Sequence, residues 1–375
     1  MRDTLAERLL AEVMQWNPED LAKELPYLQA LASIKYDEYQ QFSPGMRFLE
    51  SLAMWLDQFE KKDERDTAYL FVRSQLVFIS NEELFHLVNI AYPDKVRPYL
   101  INQVAERLAI PDIKIRKIVT SREFKVLLRQ SLFIGLTEGA HLDIFRRSNP
   151  VISHEQTLLS YDISEEKIKS VTSKLKSDLR QLIGEELCPN DCKFNNIFLI
   201  DDFSASGLSY IRKDGAGDYN GKIAKILNNV YSDNKGYINL VNRDNLQISL
   251  LVYIATNKAR SHLQNMMEQW FNDNKIQGRP KIFVVQELPE KICIQDGKDD
   301  KLIETIKHYY DDSIQDEHYE VGDHQKPYLG FDECALPLVL SHNTPNNSIP
   351  ILWFDSFRKY LGLFPRISRH KEVTK

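Results

Sequence analysis

Near-continuous apolar runs along the second part of this 375-residue chain constrain its fold most. They are too uniformly apolar for strands with one face in water, and amphipathic helical patterns separate them, such as Ile168, Val171, Leu175, Leu179 and Leu182. Strands that are buried on both faces and alternate with helices are typical of an α/β domain with a mainly parallel sheet. The runs lie within residues 131–139, 197–200, 246–256, 280–288, 334–340 and 349–354.

The N-terminal part of the chain has a helical pattern instead. Apolar residues recur at helical spacing, and prolines separate the segments. We therefore predict an all-α accessory domain over residues 1–125 and an α/β domain over residues 126–375. Residues 289–330 are acidic and weakly patterned, which favours an insertion on the edge of the sheet.

Charge and hydropathy argue against several functional classes. The formal net charge is −6, so there is no overall basic field that would attract nucleic acid or an anionic membrane. No segment approaches the roughly 18 consecutive apolar residues of a membrane span. The N-terminus carries acidic residues where a signal peptide has an apolar core. We expect a cytoplasmic protein without a membrane partner.

One segment keeps nucleic acid open as a partner. Residues 103–118, QVAERLAIPDIKIRKI, have the rhythm of a helix-turn-helix with a break at Pro111. Basic residues are present, but the other features of a DNA-binding unit are incomplete. We favour the alternative, which is two packed helices of an accessory domain.

Two adjacent carboxylates follow one of the predicted strands. Asp201 and Asp202 come directly after residues 197–200, and the ligand crevice of an α/β sheet lies at the C-terminal ends of its strands. We expect the next residues to lead into a helix with Leu208 and Ile211, whose N-terminal amides favour a phosphate. These next residues are small and rich in hydroxyls, namely Ser204, Ala205, Ser206, Gly207 and Ser209.

This pattern suits a ligand with vicinal ribose hydroxyls, a phosphate and a Mg²⁺ ion. Carboxylates accept hydrogen bonds from hydroxyls or hold the water shell of the ion. The alternative is an Asp-Ser N-cap on an ordinary helix. Because a cap needs one acidic residue and explains neither the second aspartate nor the Ser-Ala-Ser-Gly turn, we favour a binding site.

A second polar loop lies near the C-terminus. In HNTPNNSIP, residues 342–350, amides and a hydroxyl surround Pro345 between two apolar runs. Such side chains bind a base edge or a pyrophosphate, and an Asx-rich turn that joins two strands has the same composition. The residues concerned are Asn343, Thr344, Asn346 and Asn347.

The stretch IFLIDDFSASGLS, residues 197–209, resembles the phosphoribosyl-pyrophosphate (PRPP) motif of type I phosphoribosyltransferases. The resemblance implies a Rossmann-like parallel sheet, with Asp201 and Asp202 on the ribose hydroxyls as catalytic residues and on Mg²⁺. It implies that the loop 204–209 holds the 5′-phosphate through backbone amides and through the hydroxyls of Ser206 and Ser209. The stretch departs from the motif at Phe203 and Ser204, where aliphatic residues are usual.

The same resemblance places a pyrophosphate loop in FIGLTEGAH, residues 133–141. Family members often carry a basic residue in that loop, whereas this chain has Thr137, Glu138 and Gly139. Arg146 and Arg147 follow shortly downstream. Their guanidinium groups either neutralise a pyrophosphate or lie on the domain surface.

A wider resemblance covers most of the chain. GLTEGAHLDIFRRSNP, IFLIDDFSASG and PLVLSHNTPNNSIPILWF, in this order after a helical region, are similar to the phosphoribosyltransferase-like proteins of bacterial conflict systems, the PRTase-CE group. The likeness implies a product of an anti-phage locus, in some cases beside a retron reverse transcriptase with its RNA and DNA, and partner proteins from the same locus. With this likeness, we favour a ligand-binding site in the loop 342–350.

Three functions remain open from the sequence. The first is an effector enzyme, a glycosyltransferase that acts on nucleotide or phosphoribosyl substrates. The second is a non-catalytic sensor that binds PRPP or a nucleotide and regulates partner proteins. The third is a nucleic-acid-binding accessory protein, in which residues 103–118 make the contact.

Overall fold

The structure is a computed structural model that describes residues 3–161, 163–184, 187–232, 237–315, 319–322, 325–355 and 358–366. The chain divides into two compact units. The first combines residues 1–84 with residues 290–375, and the second consists of residues 85–289. The predicted boundary at residues 125 and 126 therefore falls within the second unit.

Helices occupy both units. In the described residues they are α1 (Asp3–Met14), α2 (Pro18–Ile34), α3 (Phe48–Asp57), α4 (Lys62–Ser74), α5 (Asn81–Ala91), α6 (Arg97–Leu108), α7 (Ile115–Val119), α8 (Arg122–Arg129), α9 (Leu142–Ser148), α10 (Glu165–Ile183), α11 (Lys222–Tyr231), α12 (Tyr237–Leu240), α13 (Asn257–Asp273) and α14 (Asp300–His308). None of these described helices is both long enough and apolar enough to cross a membrane.

The strands form three separate sheets among the described residues. They are β1 (Val77–Ile79), β2 (Ser131–Gly135), β3 (Thr157–Leu159), β4 (Asn196–Ser204), β5 (Arg212–Lys213), β6 (Tyr219–Asn220), β7 (Gln247–Thr256), β8 (Lys281–Leu288) and β9 (Leu338–Leu340). The central sheet has the order β3-β2-β4-β7-β8, and β1 pairs with β9 while β5 pairs with β6.

The first unit is a helical body around one aromatic core. Apolar residues of α1–α4 pack with residues 294–364 of the same unit, and the indole of Trp55 donates a hydrogen bond to the Ile351 carbonyl at 2.8 Å. The predicted N-terminal helices are confirmed, with the short strand β1 in addition. Residues 290–330, predicted as an edge insertion, contribute α14 to this core.

Two predicted strands near the C-terminus differ from the structure. Of residues 334–340, β9 alone is a strand, and it pairs with β1 instead of entering the central sheet. The predicted strand at residues 349–354 is wrong, because Pro350–Leu352 is a 3₁₀ turn. Its side chains are apolar because the turn is buried, and burial alone does not distinguish a strand from a turn.

The second unit is a three-layer α/β body. Its five central strands are all parallel, and β4, in the middle, is flanked by β2 and β7. One face packs against α10, α11 and α13. The other face carries Phe133 and Phe198, stacked with ring centroids 5.3 Å apart, and Tyr99 of α6. The predicted mixed α/β fold with a parallel sheet flanked by helices is confirmed.

The order of the strands locates the ligand crevice. Successive connections leave β2 and β4 in opposite directions along the sheet, since β3 lies beyond β2 and β7 lies beyond β4. In open α/β sheets, ligands bind at such a switch point, outside the C-terminal ends of the two central strands. Residues 136–139 and 201–206 follow or end these strands, so the two loops singled out in the sequence are neighbours.

Candidate functional site

The acidic pair lies inside strand β4 and not beyond it. β4 continues to Ser204, and Asp201 pairs with Val252 of β7 in the parallel ladder. Because adjacent residues of a strand point to opposite faces, the two carboxylates leave the sheet on opposite sides. They therefore have different environments.

Asp201 is a buried carboxylate with partners on both oxygens. Its side chain is 1% exposed, Oδ1 accepts a hydrogen bond from the Thr137 hydroxyl, and Oδ2 lies 3.0 Å from Nζ of Lys222. Burial, together with the charge of Asp202, raises the pKa of Asp201, whereas Lys222 and Thr137 stabilise the ionised form. A buried charge needs such partners, and here they come from α11 and from the loop after β2.

Asp202 is half-buried and lies against the glycine of the neighbouring loop. A Cβ added to Gly139 would lie 2.7 Å from Oδ2 of Asp202, which is closer than real contacts allow. Oδ1 accepts a hydrogen bond from the Phe203 amide at 2.8 Å. The loop after β2 can thus cover this carboxylate only because residue 139 has no side chain.

The segment after β4 is a loop and a hairpin, not a helix. Residues 205–211 form turns, β5 and β6 follow as a hairpin, and α11 begins at Lys222. The predicted helix with Leu208 and Ile211 is therefore wrong. The turn sequence 213–218, KDGAGD, is the local signal for the hairpin.

The N-terminus of α11 is already engaged by this loop. The amides of Lys222 and Ile223 donate to the carbonyls of Ser209 and Tyr210, at 3.2 and 2.8 Å. These two amides would otherwise be available to an anion. The expected contribution of a helix N-terminus to phosphate binding is thus reduced here.

The loop itself offers other donors. Among the described residues, no acceptor takes the backbone amides of Ser206, Gly207 and Ser209. Ser206 and Gly207 are buried, and the buried hydroxyl of Ser204, 3% exposed, also has no partner in the described structure. Ser209 is exposed. Unpaired buried donors cost free energy, so the grouping of the Ser206 and Gly207 amides with the Ser204 hydroxyl in one loop favours an anionic ligand.

Helix α13 fixes the shape of this loop. Thr256, its N-cap, donates a hydrogen bond from its hydroxyl to the Ala205 carbonyl and accepts one from the Ala259 amide. Gly207 has φ +81°, and an added Cβ would lie 2.8 Å from the ring of His262. The loop is therefore held rigidly against the helix, and its amides are preorganised.

Glu138, Arg146 and Arg147 have surface environments. The Tyr161 hydroxyl donates to Glu138 at 3.4 Å. Arg147 on α9 is 72% exposed and pairs with Asp143 at 3.6 Å. Arg146 is half-buried on the same helix. In the described residues, neither arginine contacts Asp201 or Asp202, so a role on a pyrophosphate stays a prediction.

The C-terminal polar loop belongs to the first unit and supports its fold. The buried Thr344 hydroxyl donates a hydrogen bond to the Phe364 carbonyl and shares another with the Tyr39 hydroxyl, both at 3.0 Å. Asn347 donates to the Phe331 carbonyl at 3.1 Å. The backbone carbonyl of Asn346 and that of Asn343 also accept hydrogen bonds within this unit. These contacts fit the turn interpretation of the loop.

Sequence reasoning missed the residues that complete the acidic site. Lys222 lies 21 positions beyond Asp201, and no spacing rule connects them across the hairpin. Tyr210 is buried, donates to the Phe203 carbonyl at 2.7 Å, and its ring lies 5.0 Å from Nζ of Lys222. Burial, and then the two aspartates, raise the pKa of this tyrosine well above its usual value.

Comparison with known proteins identifies the family of the chain. The family model PRTase-CE matches residues 52–366. The chain belongs to the PRTase-CE family. No curated protein and no solved structure matches the chain. The PRTase-CE match supports a phosphoribosyltransferase-like protein and includes the whole second unit.

The phosphoribosyltransferase likeness implies a Mg²⁺ ion at the two aspartates. Both oxygens of Asp201 have protein partners, and its side chain is buried. Among the residues that the structure describes, no group of three or more His, Cys, Asp and Glu is placed to hold a metal ion. The two aspartates of this PRTase-CE protein therefore do not fit a metal ion that both would ligate.

The segment 103–118 shows two helices of unequal length. α6 ends at Leu108, and Ala109 adopts a left-handed conformation with φ 50°. α7 has five residues and is followed directly by α8. Nucleic acid as a partner stays a prediction, since two short packed helices occur in both interpretations.

Proposed function

We propose that this PRTase-CE protein binds a ribose phosphate, either PRPP or a nucleotide, at the switch point of its second unit. The unpaired amides of Ser206, Gly207 and Ser209, next to Asp202, carry the proposal. Amides without acceptors suit a phosphate, and a carboxylate suits ribose hydroxyls. The carboxylate lies on the strand and the amides lie in the loop that follows it. In the same order, a ribose 5-phosphate has its ring hydroxyls and then its 5′-phosphate.

Each residue has a distinct role in this proposal. Asp202 accepts hydrogen bonds from the ribose hydroxyls, and the loop 204–209 holds the 5′-phosphate. Asp201 orients Lys222 and the Thr137 loop from within the sheet. If the ligand reacts at its anomeric carbon, the negative site stabilises the positive charge that develops on the sugar ring.

The biological role follows the wider resemblance. We propose an effector of an anti-phage defence system that acts on nucleotide or phosphoribosyl substrates, with protein partners from its own locus. The second candidate is a sensor that binds the same ligand without turnover. The observation that favours a sensor is the loop Thr137–Gly139, which offers no cationic side chain to a pyrophosphate leaving group.

The test combines binding and turnover. PRPP, ribose 5-phosphate and AMP are titrated calorimetrically into wild type and Asp202→Asn, and pyrophosphate release and nucleotide loss are followed with a panel of bases. We expect ribose phosphates to bind wild type and to bind the variant roughly 10–100-fold more weakly, since a hydrogen bond to a charged group is lost.

The outcomes separate the candidates. Turnover that disappears in Asp202→Asn supports the effector enzyme, and binding without turnover supports the sensor. If no ribose phosphate binds wild type at any concentration tested, the proposed site is wrong.

A further inference from the structure

Lys222 joins a buried carboxylate to the open side of the site. Its Nζ lies 3.0 Å from Oδ2 of Asp201, and its side chain is 35% exposed while that of Asp201 is 1% exposed. An ammonium group has three donors, and the contact with Asp201 uses one of them. Two donors of the ammonium remain for a ligand, and the lysine side chain is partly exposed.

The backbone ties this lysine to the loop with the unpaired amides. Gly221, directly before it, has φ +113°, and an added Cβ would lie 2.4 Å from the Tyr210 carbonyl oxygen. The amide of Lys222 donates to the Ser209 carbonyl at 3.2 Å. The first turn of α11 is therefore fixed to the end of the loop 204–209, and the ammonium has a defined place beside it.

The ring of Tyr210 restricts the lysine side chain further. The ring centroid lies 5.0 Å from Nζ, which is within the range of a cation–π contact. Tyr210 is itself buried and held through its hydroxyl by the Phe203 carbonyl at 2.7 Å. A long, flexible side chain thus has little freedom left, as a binding residue requires.

We infer that Lys222 is a ligand-binding residue whose ammonium, held on Asp201, supplies the positive charge for the ribose phosphate, so that binding does not require a divalent ion. The inference rests on the proposed function and specifies its electrostatics. The charge of Asp201 is compensated by Lys222, and both of its oxygens are buried and already hydrogen-bonded, so a metal ion has no open approach to them. A phosphate or an anionic sugar substituent then meets an ammonium at the place where the family resemblance implies Mg²⁺.

The probe is ribose 5-phosphate, because it carries no pyrophosphate that chelates Mg²⁺ by itself. It is titrated into the full-length protein in EDTA and in excess MgCl₂. The variants are Lys222→Met, Lys222→Arg and, as a control, Lys225→Met, an exposed lysine of the same helix. Wild type is expected to bind with Kd values that agree within about twofold in both buffers.

The variants should separate from one another. Loss of a charge-assisted hydrogen bond predicts a Kd roughly 10–100-fold higher for Lys222→Met. Lys222→Arg keeps the charge and should recover most of the affinity, whereas Lys225→Met should bind like wild type. If Lys222 acted only on stability, Lys222→Met would lose affinity only by losing its fold. Recovery of the affinity by Lys222→Arg, with both variants folded like wild type, would contradict that alternative.

Lys222→Met leaves Asp201 buried without its cation, which destabilises the fold. A second variant without this unpaired charge is therefore needed to separate lost affinity from unfolding. Asp201→Asn/Lys222→Met removes both charges and keeps an oxygen for the Thr137 hydroxyl. It is expected to unfold cooperatively at a Tm near that of wild type and still to bind ribose 5-phosphate weakly. Wild-type affinity in this folded double variant would overturn the inference.

The failures are distinguishable. A wild-type protein that binds only with MgCl₂ overturns the inference and leaves the proposed function standing. Unchanged affinity in Lys222→Met has the same consequence. Absence of ribose 5-phosphate binding in both buffers overturns the inference, and the proposed function falls with it only if PRPP and AMP also fail to bind.

Discussion

Two neighbouring aspartates with the same chemistry have different environments because successive residues of a strand point to opposite faces. The sequence predicted an acidic pair at the end of a strand, and the structure places Asp201 and Asp202 in β4. The partner of Asp201 could not be predicted, because Lys222 reaches it only after the hairpin β5–β6 has turned the chain back. The acidic pair could thus be predicted from the sequence, whereas the burial of Asp201 and its pairing with Lys222 depend on tertiary structure.

The two aspartates should respond differently to the same substitution. Asp201→Asn breaks the ion pair with Lys222 and should lower the free energy of unfolding by about 2 kcal/mol, less than for a fully buried pair, because the lysine is partly exposed. Asp202→Asn should leave the stability within about 0.5 kcal/mol and weaken ribose 5-phosphate binding. Urea unfolding and calorimetry measure the two quantities, and equal effects of both substitutions on stability would contradict the separation.

Gly139 tests how closely the loop after β2 must approach Asp202. A Cβ at residue 139 would lie 2.7 Å from the carboxylate, so Gly139→Ala should displace the Asp202 side chain and cost about 1–3 kcal/mol. Gly215→Ala is the matched control, because a Cβ there meets no atom within 4 Å. Thermal unfolding and ribose 5-phosphate titration should both change for residue 139, and neither should change for residue 215.

At the scale of elements, long apolar runs were predictable and short elements were not. β7 and β8 coincide with the predicted runs to within one residue, whereas β4 continues beyond its run to Ser204. β7 is buried at every residue after its first, and strands buried on both faces need uniformly apolar sequence. β3 has three residues and pairs only with β2, so its local pattern carries little signal. The hairpin β5–β6 consists of two-residue strands that no apolar run marks.

The contact between α4 and α14 in the first unit depends on pH through Glu64. Glu64 accepts hydrogen bonds from the Tyr309 hydroxyl at 2.8 Å and the Lys61 ammonium at 3.1 Å. Burial alone would raise the pKa of Glu64, but these hydrogen bonds outweigh it and lower the pKa from 4.5 to about 2. Because solvent screens the exposed Lys61, the lowered pKa corresponds to about 1–2 kcal/mol of stabilisation at neutral pH.

The sign of the pH dependence follows from the lowered pKa. The stabilisation is complete above the unfolded-state value of 4.5 and is lost as the pH falls towards 2. Glu64→Gln should therefore lower the Tm at pH 7 and flatten its decline between pH 5 and pH 2. Glu304→Gln, an exposed site on α14, is the control. Parallel Tm–pH curves for wild type and Glu64→Gln would contradict the assignment.

At the scale of the whole molecule, the last part of the chain belongs to the same unit as the first part. Residues 290–375 complete the core of the helical unit, for example where Trp55 donates to the Ile351 carbonyl. The sequence pattern shows where helices are followed by strands, but it does not show which C-terminal segment packs against which N-terminal one. The predicted fold class was therefore accessible from the sequence, whereas the placement of residues 290–375 in the first unit depends on long-range packing.

The division into two compact units predicts that one fragment folds and that another does not. Residues 81–289 contain the second unit and the complete α5, so this fragment should unfold cooperatively and bind ribose 5-phosphate. A fragment of residues 126–375 follows the boundary predicted from sequence. It loses Tyr99, which packs edge-on against Phe198 and Phe283, and it also loses Trp55, which bonds to the Ile351 carbonyl.

The second fragment should therefore expose apolar surface and aggregate, because the exposed faces of its sheet and C-terminal segment have no cover. Circular dichroism, urea unfolding and size-exclusion chromatography of both fragments make the comparison. A soluble, cooperatively unfolding fragment 126–375 beside an unfolded fragment 81–289 would show that the helices α5 and α6 are not part of the α/β body. The reverse result would establish that these helices belong to the ligand-binding unit, as the packing of Tyr99 on the sheet requires.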